Sequence, residues 1–214
     1  GVRYASGDIH EVFDANCRRY PVLLPTISDT PPEEFAHLRL HNGTLWRWTR
    51  PLIGFSANGK PHIRIEHRSV AAGPTHADEI ANAAFFFGLI TALMEQEGIE
   101  QRIPHIVSRH NFYAAAKSGM DSPVEWLDGK EASLRTLVLQ ELLPLARKGL
   151  ASLDVDHDEA DASLHIIEQR LQTRQTGAKW QREWVAKHGA DGRGLVLDYA
   201  EHQASGKPVH TWNV

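Results

Sequence analysis

A single cysteine, Cys17, stands in 214 residues. That excludes an internal disulfide and any cysteine-based zinc site, and it suits a reducing compartment, so a cytoplasmic location is expected. Basic residues are not in excess. A formal net charge of -4 and an isoelectric point near 6.4 argue against the footprint of a nucleic-acid binder, and no polybasic segment addresses an anionic membrane. Long apolar runs are missing too. The longest, Ile80 to Met94, is interrupted by Asn82 and is shorter than the roughly 20 residues that span a bilayer, so it reads as a buried helix. There is no Gly-rich phosphate loop, no His-Glu-x-x-His pair and no Gly-x-Ser-x-Gly elbow, and no internal repeat or low-complexity tract. Neither a basic n-region with an apolar h-region nor an initiator methionine accompanies Gly1-Val2-Arg3-Tyr4, so the sequence reads as a piece of a longer protein. Small polar ligands remain as the expected partners.

What is present suffices for a sizeable core, since 42% of the residues are hydrophobic. The fold class expected is α+β: an antiparallel hairpin at about 44–70 backed by a helix-rich C-terminal half. One domain is expected over 1–214, with an N-terminal helix and connection over 1–37, the hairpin over 38–72 and a helical region over 73–206. Asp8 to Arg19 has helical apolar spacing ended by Tyr20-Pro21, and Pro31-Pro32-Glu33-Glu34 looks like a helix start. Thr75-x-x-Asp78 opens a helix to about Glu97, whose Phe85-Phe86-Phe87 run makes it apolar nearly all round and places it across the back of the sheet. Further helices are expected over 108–117, 131–147, 158–173, 177–187 and 191–204.

Asn58-Gly59, between two strand-like runs, is the signature of a two-residue hairpin turn. Such a turn sets Thr49 opposite Arg68, Pro51 opposite Glu66 and Ile53 opposite Arg64. Arg47, Thr49, Arg64, Glu66 and Arg68 then share a polar face, while Trp48, Leu52, Ile63 and Ile65 form a core face. Pro51 weakens that register. Within Arg64-Ile65-Glu66-His67-Arg68 the glutamate can ligate Mg²⁺, and the flanking arginines can neutralise charge on a transferred phosphoryl group. The rival reading is a solvated strand whose charges pair with one another. His41, in His41-Asn42-Gly43-Thr44, is a candidate metal or phosphate contact at the mouth of that face, against an ordinary Asn-Gly turn. Asp154, Asp156 and Asp158 imitate a calcium loop, but Glu159 holds the glycine position, so a capped helix start is expected. Trp180 and Trp184 are expected to pack rather than to wall a substrate site.

The hairpin with Arg-Ile-Glu-His-Arg, followed by Gly73-Pro74-Thr75 and an aromatic helix, resembles the glutamate-cysteine ligase type 2 group. Asn111-Phe112-Tyr113-Ala114-Ala115-Ala116 with Gly119, and Gly177-Ala178-Lys179-Trp180-Gln181-Arg182, look like that group's later motifs, so the likeness runs from about His41 to about Gly189. The strand is also similar to one in glutamine synthetases. The resemblance implies the C-terminal part of a glutamine-synthetase-like, ATP-dependent carboxylate-amine ligase using ATP and Mg²⁺, with a γ-glutamyl phosphate attacked by an amine. Carried over, Glu66 is a metal ligand and Arg68 a phosphate ligand; on the strand face itself Arg64 and Arg68 are the candidate catalytic arginines, and Arg47, His41 and Arg68 the candidate nucleotide contacts. Amino-acid substrates, the N-terminal part of the same ligase with its further acidic metal ligands, and a homo-oligomer are the implied partners. The piece alone is expected to be weakly active or inactive. A non-catalytic anion-binding or regulatory domain, and a structural helical module, stand as alternatives.

Overall fold

A computed structural model describes residues 3–5 and 7–214. Gly1 and Val2, which enter the reading of the chain's start, lie outside the described residues. The chain divides into two compact units, Arg3–Ala71 and Ala72–Val214. The class is α+β, mostly helical with two small antiparallel hairpins.

In the first unit, α1 spans His10–Arg19 and buries Phe13 and Asn16. Asp8 meets its first turn, accepting a hydrogen bond from the His10 N–H at 2.9 Å. Tyr20 leaves the helix in an extended conformation, as a residue before proline must. Pro32–Glu34 forms only a single tight 3₁₀ turn, where a longer helix was expected. Phe35, at φ 51°, breaks the chain there, and α2 follows over Ala36–Thr44. The two strands are β1, Thr49–Phe55, and β2, Pro61–His67.

Their register differs by one residue from the expectation. Arg50 faces Glu66, Leu52 faces Arg64 and Thr49 faces His67. The cause is the turn. The Gly59 N–H donates to Ser56 O and the Ser56 N–H donates to Lys60 O, so three residues, Ala57, Asn58 and Gly59, form the loop. Gly59 sits at φ +78°, the left-handed position that closes a type I turn with a bulge, where a side chain would be strained. One extra loop residue moves every partner and exchanges the faces of β1. Thr49 therefore leaves the expected polar face, and Trp48 and Leu52 join it. Ile63 and Ile65 are about half exposed rather than core, because this sheet has only two strands.

In the second unit, α3 spans His76–Met94; Thr75 caps it by accepting from the Asp78 N–H. By length and composition alone α3 is apolar enough to cross a bilayer. It packs on α7 and α8 through Ala81, Gly88 and Ala92, leaving Ile80, Phe87 and Met94 exposed; it is not buried on most sides as expected. Next come α4, Ile99–Arg102, and α5, His105–Ser118. A short hairpin of β3, Pro123–Glu125, and β4, Glu131–Ser133, stands where the sequence suggested the start of a helix. One long helical rod follows: α6, Leu134–Leu137, a π turn over Val138–Leu142, and α7, Leu143–Ser152. Pro144 accounts for the widening, since it has no N–H and its ring crowds the carbonyl four residues back. The rod runs through Gly149, the expected end, because Gly149 and Gly88 let two helix backbones touch. A Cβ on either would overlap the neighbouring helix backbone.

The helix α8, His157–Thr173, starts at Asp156, whose carboxylate accepts from the Asp158 and Glu159 N–H groups, which matches the capped start. Leu137, Leu143, Ala146, Leu150, Leu164 and Leu171 fill the core between the rod, α3 and α8. The last helices are α9, Gly177–His188, and α10, Gly192–Ala204. Trp180 is fully buried and packs with Trp184, Val209 and Trp212, as expected of packing tryptophans.

The most buried ion pair among the described residues of this unit joins Asp78 and Arg170. Asp78, at 0% exposure, accepts from Arg170 Nη2 at 2.6 Å, the Thr75 hydroxyl at 2.8 Å and the Val209 N–H at 3.1 Å. Arg170 also donates to Asn82 Oδ1 at 2.6 Å. With each carboxylate oxygen satisfied, the desolvation penalty is offset, whereas removing one partner would cost about 3–5 kcal/mol.

Candidate functional site

The face of the 49–67 hairpin that carries Arg64, Glu66 and Arg68 also carries Trp48, Arg50 and Leu52. Alternation on β2 places the first three together, as expected, and the register adds Arg50 directly across from Glu66. Arg50 Nε donates to Glu66 Oε2 at 2.7 Å, and Arg68 Nε lies 3.5 Å from the same oxygen. Both partners engage Oε2. Arg50 is 8% exposed because its Nη1 also donates to the carbonyls of Asn42, Gly43 and Leu45 at 3.2 to 3.3 Å. Those are carbonyls at the end of α2, where a cation complements the helix dipole. One guanidinium thus ties the helix terminus to the strand pair.

Arg68 lies over the Trp46 ring at 4.7 Å, and Trp46 meets Trp48 edge to face at 5.7 Å. This aromatic support fixes a guanidinium better than solvent does. Arg64 has no hydrogen-bond or ion-pair partner among the described residues. It runs with His62 across Gly54, where an added Cβ would lie 2.7 Å from the His62 ring and 3.2 Å from Arg64 Nη1. The face therefore holds three guanidinium groups and one carboxylate.

Two residues expected here lie elsewhere. Arg47 donates through Nη2 to Asn16 Oδ1 at 2.7 Å and covers the Tyr20 ring at 5.5 Å. The turn pairs even-numbered strand positions with even-numbered ones, so the odd-numbered Arg47 is excluded from the face. His41 sits in the last turn of α2, with Nε2 3.4 Å from Asn16 O and Nδ1 buried without a partner among the described residues. The His41-Asn42-Gly43-Thr44 segment is the end of a helix rather than an ordinary turn; the Asn42 and Gly43 carbonyls meet Arg50, while the His41 ring lies against Asn16 O. Buried Asn42 donates to Pro51 O at 2.9 Å and accepts from Asn16 Nδ2 at 3.0 Å, which explains why an Asn stands there. Burial also lowers the pKa of His67, which lies on the opposite face from Glu66.

Arg50 and Trp46 are what the sequence reading missed. A charge signal was available: a three-residue turn sets Arg50 opposite Glu66, whereas the two-residue turn sets a proline there, and opposite charges across a ladder are the better pair. Among the described residues no group of three or more His, Cys, Asp or Glu side chains is arranged to hold a metal ion. Among the described residues no hydrogen bond reaches Glu66 Oε1, an oxygen donor of the type that Mg²⁺ prefers. Comparison with protein families, with curated proteins and with solved structures finds no match to this chain.

Proposed function

We propose that the face of Arg50, Arg64, Glu66 and Arg68 serves an ATP-dependent carboxylate-amine ligase, of the glutamate-cysteine ligase type, in the cytoplasm. The reading rests on one observation: three guanidinium groups share a face with a single carboxylate, leaving a surplus of positive charge. Such a surface suits the γ-phosphate of ATP. In the reaction a substrate carboxylate oxygen attacks the γ-phosphorus and ADP leaves. The amine then attacks the acyl carbon, phosphate departs, and the amine loses a proton. No enzyme nucleophile is needed, because positioning and charge neutralisation carry the chemistry.

In this assignment Arg64, which has no hydrogen-bond or ion-pair partner among the described residues, meets the transferred phosphoryl group, and Arg68, supported by Trp46, grips the phosphate. Arg50 is a positioning residue that orients Glu66. Glu66 Oε1 is the contact for Mg²⁺, which when bound neutralises phosphate charge. Further metal ligands and the amino-acid site belong to the N-terminal part of the same ligase.

A second reading, a non-catalytic anion-binding domain, is favoured by the pairing of Glu66 with two arginines and by the lack of a three-residue metal cluster among the described residues. Calorimetric titration of the chain with ATP, with and without Mg²⁺, separates the two. The ligase reading expects saturable, Mg²⁺-dependent binding that Arg68→Ala abolishes and Glu66→Gln makes Mg²⁺-independent. Equal binding with and without the metal selects the anion-binding domain. Absence of binding in both titrations favours the structural helical module.

A further inference from the structure

The two later motifs of the sequence take no part in the hairpin site, yet the fold brings them together. The end of α5 and the first half of α9 line a cavity of about 700 Å³, a size that suits a small organic molecule. Lys117 enters from α5 and Arg182 from α9. Neither has a hydrogen-bond or ion-pair partner among the described residues, and no acidic side chain lines the space. The nearby charges are otherwise committed: Arg174 pairs with Asp121 at 3.4 Å and Lys179 with Glu183 at 3.4 Å. Two like charges thus border one cavity with no counter-charge, an arrangement that an oxyanion relieves. The Gln181 amide is a further polar group, while Val185 and Leu195 give the cavity an apolar wall.

We propose that this cavity is a second, separate binding site for a small organic oxyanion, with its charged head between Lys117 and Arg182 and its apolar body against Val185 and Leu195. The head is a carboxylate or a phosphate ester. Arginine offers a bidentate fork and lysine a point charge, and both chemistries satisfy them. The assignment does not depend on the hairpin face, whose residues belong to the other compact unit.

Titrations of the full chain with inorganic phosphate, phenyl phosphate and benzoate, followed by amide chemical shifts, test it. Saturable shifts are expected at Gly119, Ala178 and Gln181, and at least one aromatic probe should bind more tightly than inorganic phosphate. Tighter phenyl phosphate assigns a phosphate ester, and tighter benzoate a carboxylate. Lys117→Gln and Arg182→Gln each weaken binding by about tenfold, the size expected for one charge-assisted contact. Arg68→Gln leaves it unchanged. Since Lys117 and Arg182 are exposed, both variants are expected to fold. Non-saturable shifts, or shifts that survive in the double variant, overturn the site. Inorganic phosphate binding as tightly as both aromatic probes overturns the role of the apolar wall.

Discussion

Arg50 answers two demands at once, as counter-charge to Glu66 and as cap to the carbonyls that end α2. Lysine can meet either but not both, because it lacks the planar fork. Arg50→Ala should lower the stability of the 3–71 unit by about 2–4 kcal/mol, since it leaves a half-buried carboxylate and three carbonyls short of a donor. Arg50→Lys should recover less than half of that. Hydrogen exchange at the β1 and β2 amides reads the difference, and equal protection in all three proteins would show that the pair is not structural. His210 makes a pH-dependent prediction. Its Nδ1 is buried without a partner among the described residues, and burial holds its pKa below 6.5, opposed by the Asp78 carboxylate. A histidine with a lowered folded-state pKa contributes stability above about pH 6.5 that is lost as pH falls through the folded value. Urea unfolding at pH 7.5, 6.5 and 5.5 should show this loss, reduced in His210→Gln. An identical pH profile in the variant would remove His210 from the account.

At the scale of elements, the contact between α3 and α7 depends on two missing side chains. Gly149→Ala should cost about 3 kcal/mol, because the helices cannot interlock without separating, and a denaturation midpoint close to the parent's would contradict the contact. The 49–67 hairpin has a loop that can be shortened. Deleting Ala57 leaves Asn58-Gly59 as a two-residue type I′ turn with Ser56 still opposite Lys60, so the Arg50–Glu66 pairing should survive. Cross-strand nuclear Overhauser contacts between residues 50 and 66 test this, and a shift to 51 and 66 would show that side chains do not set the register. The same hairpin marks what the sequence made legible. Asn-Gly located the turn, and alternation grouped Arg64, Glu66 and Arg68, because both signals are local. The facing strand depended on a loop one residue longer, and that residue exchanged Arg47 for Arg50. The helix start at Thr75 was readable from its capping pattern, and a capped start from the Asp154, Asp156 and Asp158 segment. Gly149 misled as a terminator because its use is tertiary: it admits a neighbouring backbone. The small β3–β4 hairpin, three residues a strand, offered too short a pattern to read.

For the whole molecule, charge is unevenly shared. The chain is net acidic at -4, yet residues 3–71 hold more basic than acidic side chains. Anion binding by the hairpin face should therefore depend on salt. Raising ionic strength from 0.01 M to 0.15 M shortens the screening length from about 30 Å to about 8 Å, and the phosphate affinity measured by calorimetry should fall. A salt-independent affinity would place the interaction in close contacts alone.

The aromatic clusters have an optical consequence. Trp212 stacks on His202 with ring centres 4.9 Å apart, and Trp184 on His188 at 4.6 Å, so the 72–214 unit contains indoles packed against imidazole rings. Trp46 and Trp48 in the other unit lie beside arginine and remain largely open to water. Emission from the two sets should differ in colour. Trp126 aside, the tryptophans thus report on the anion face and on the packed carboxyl-terminal segment, and both can be followed without adding a label.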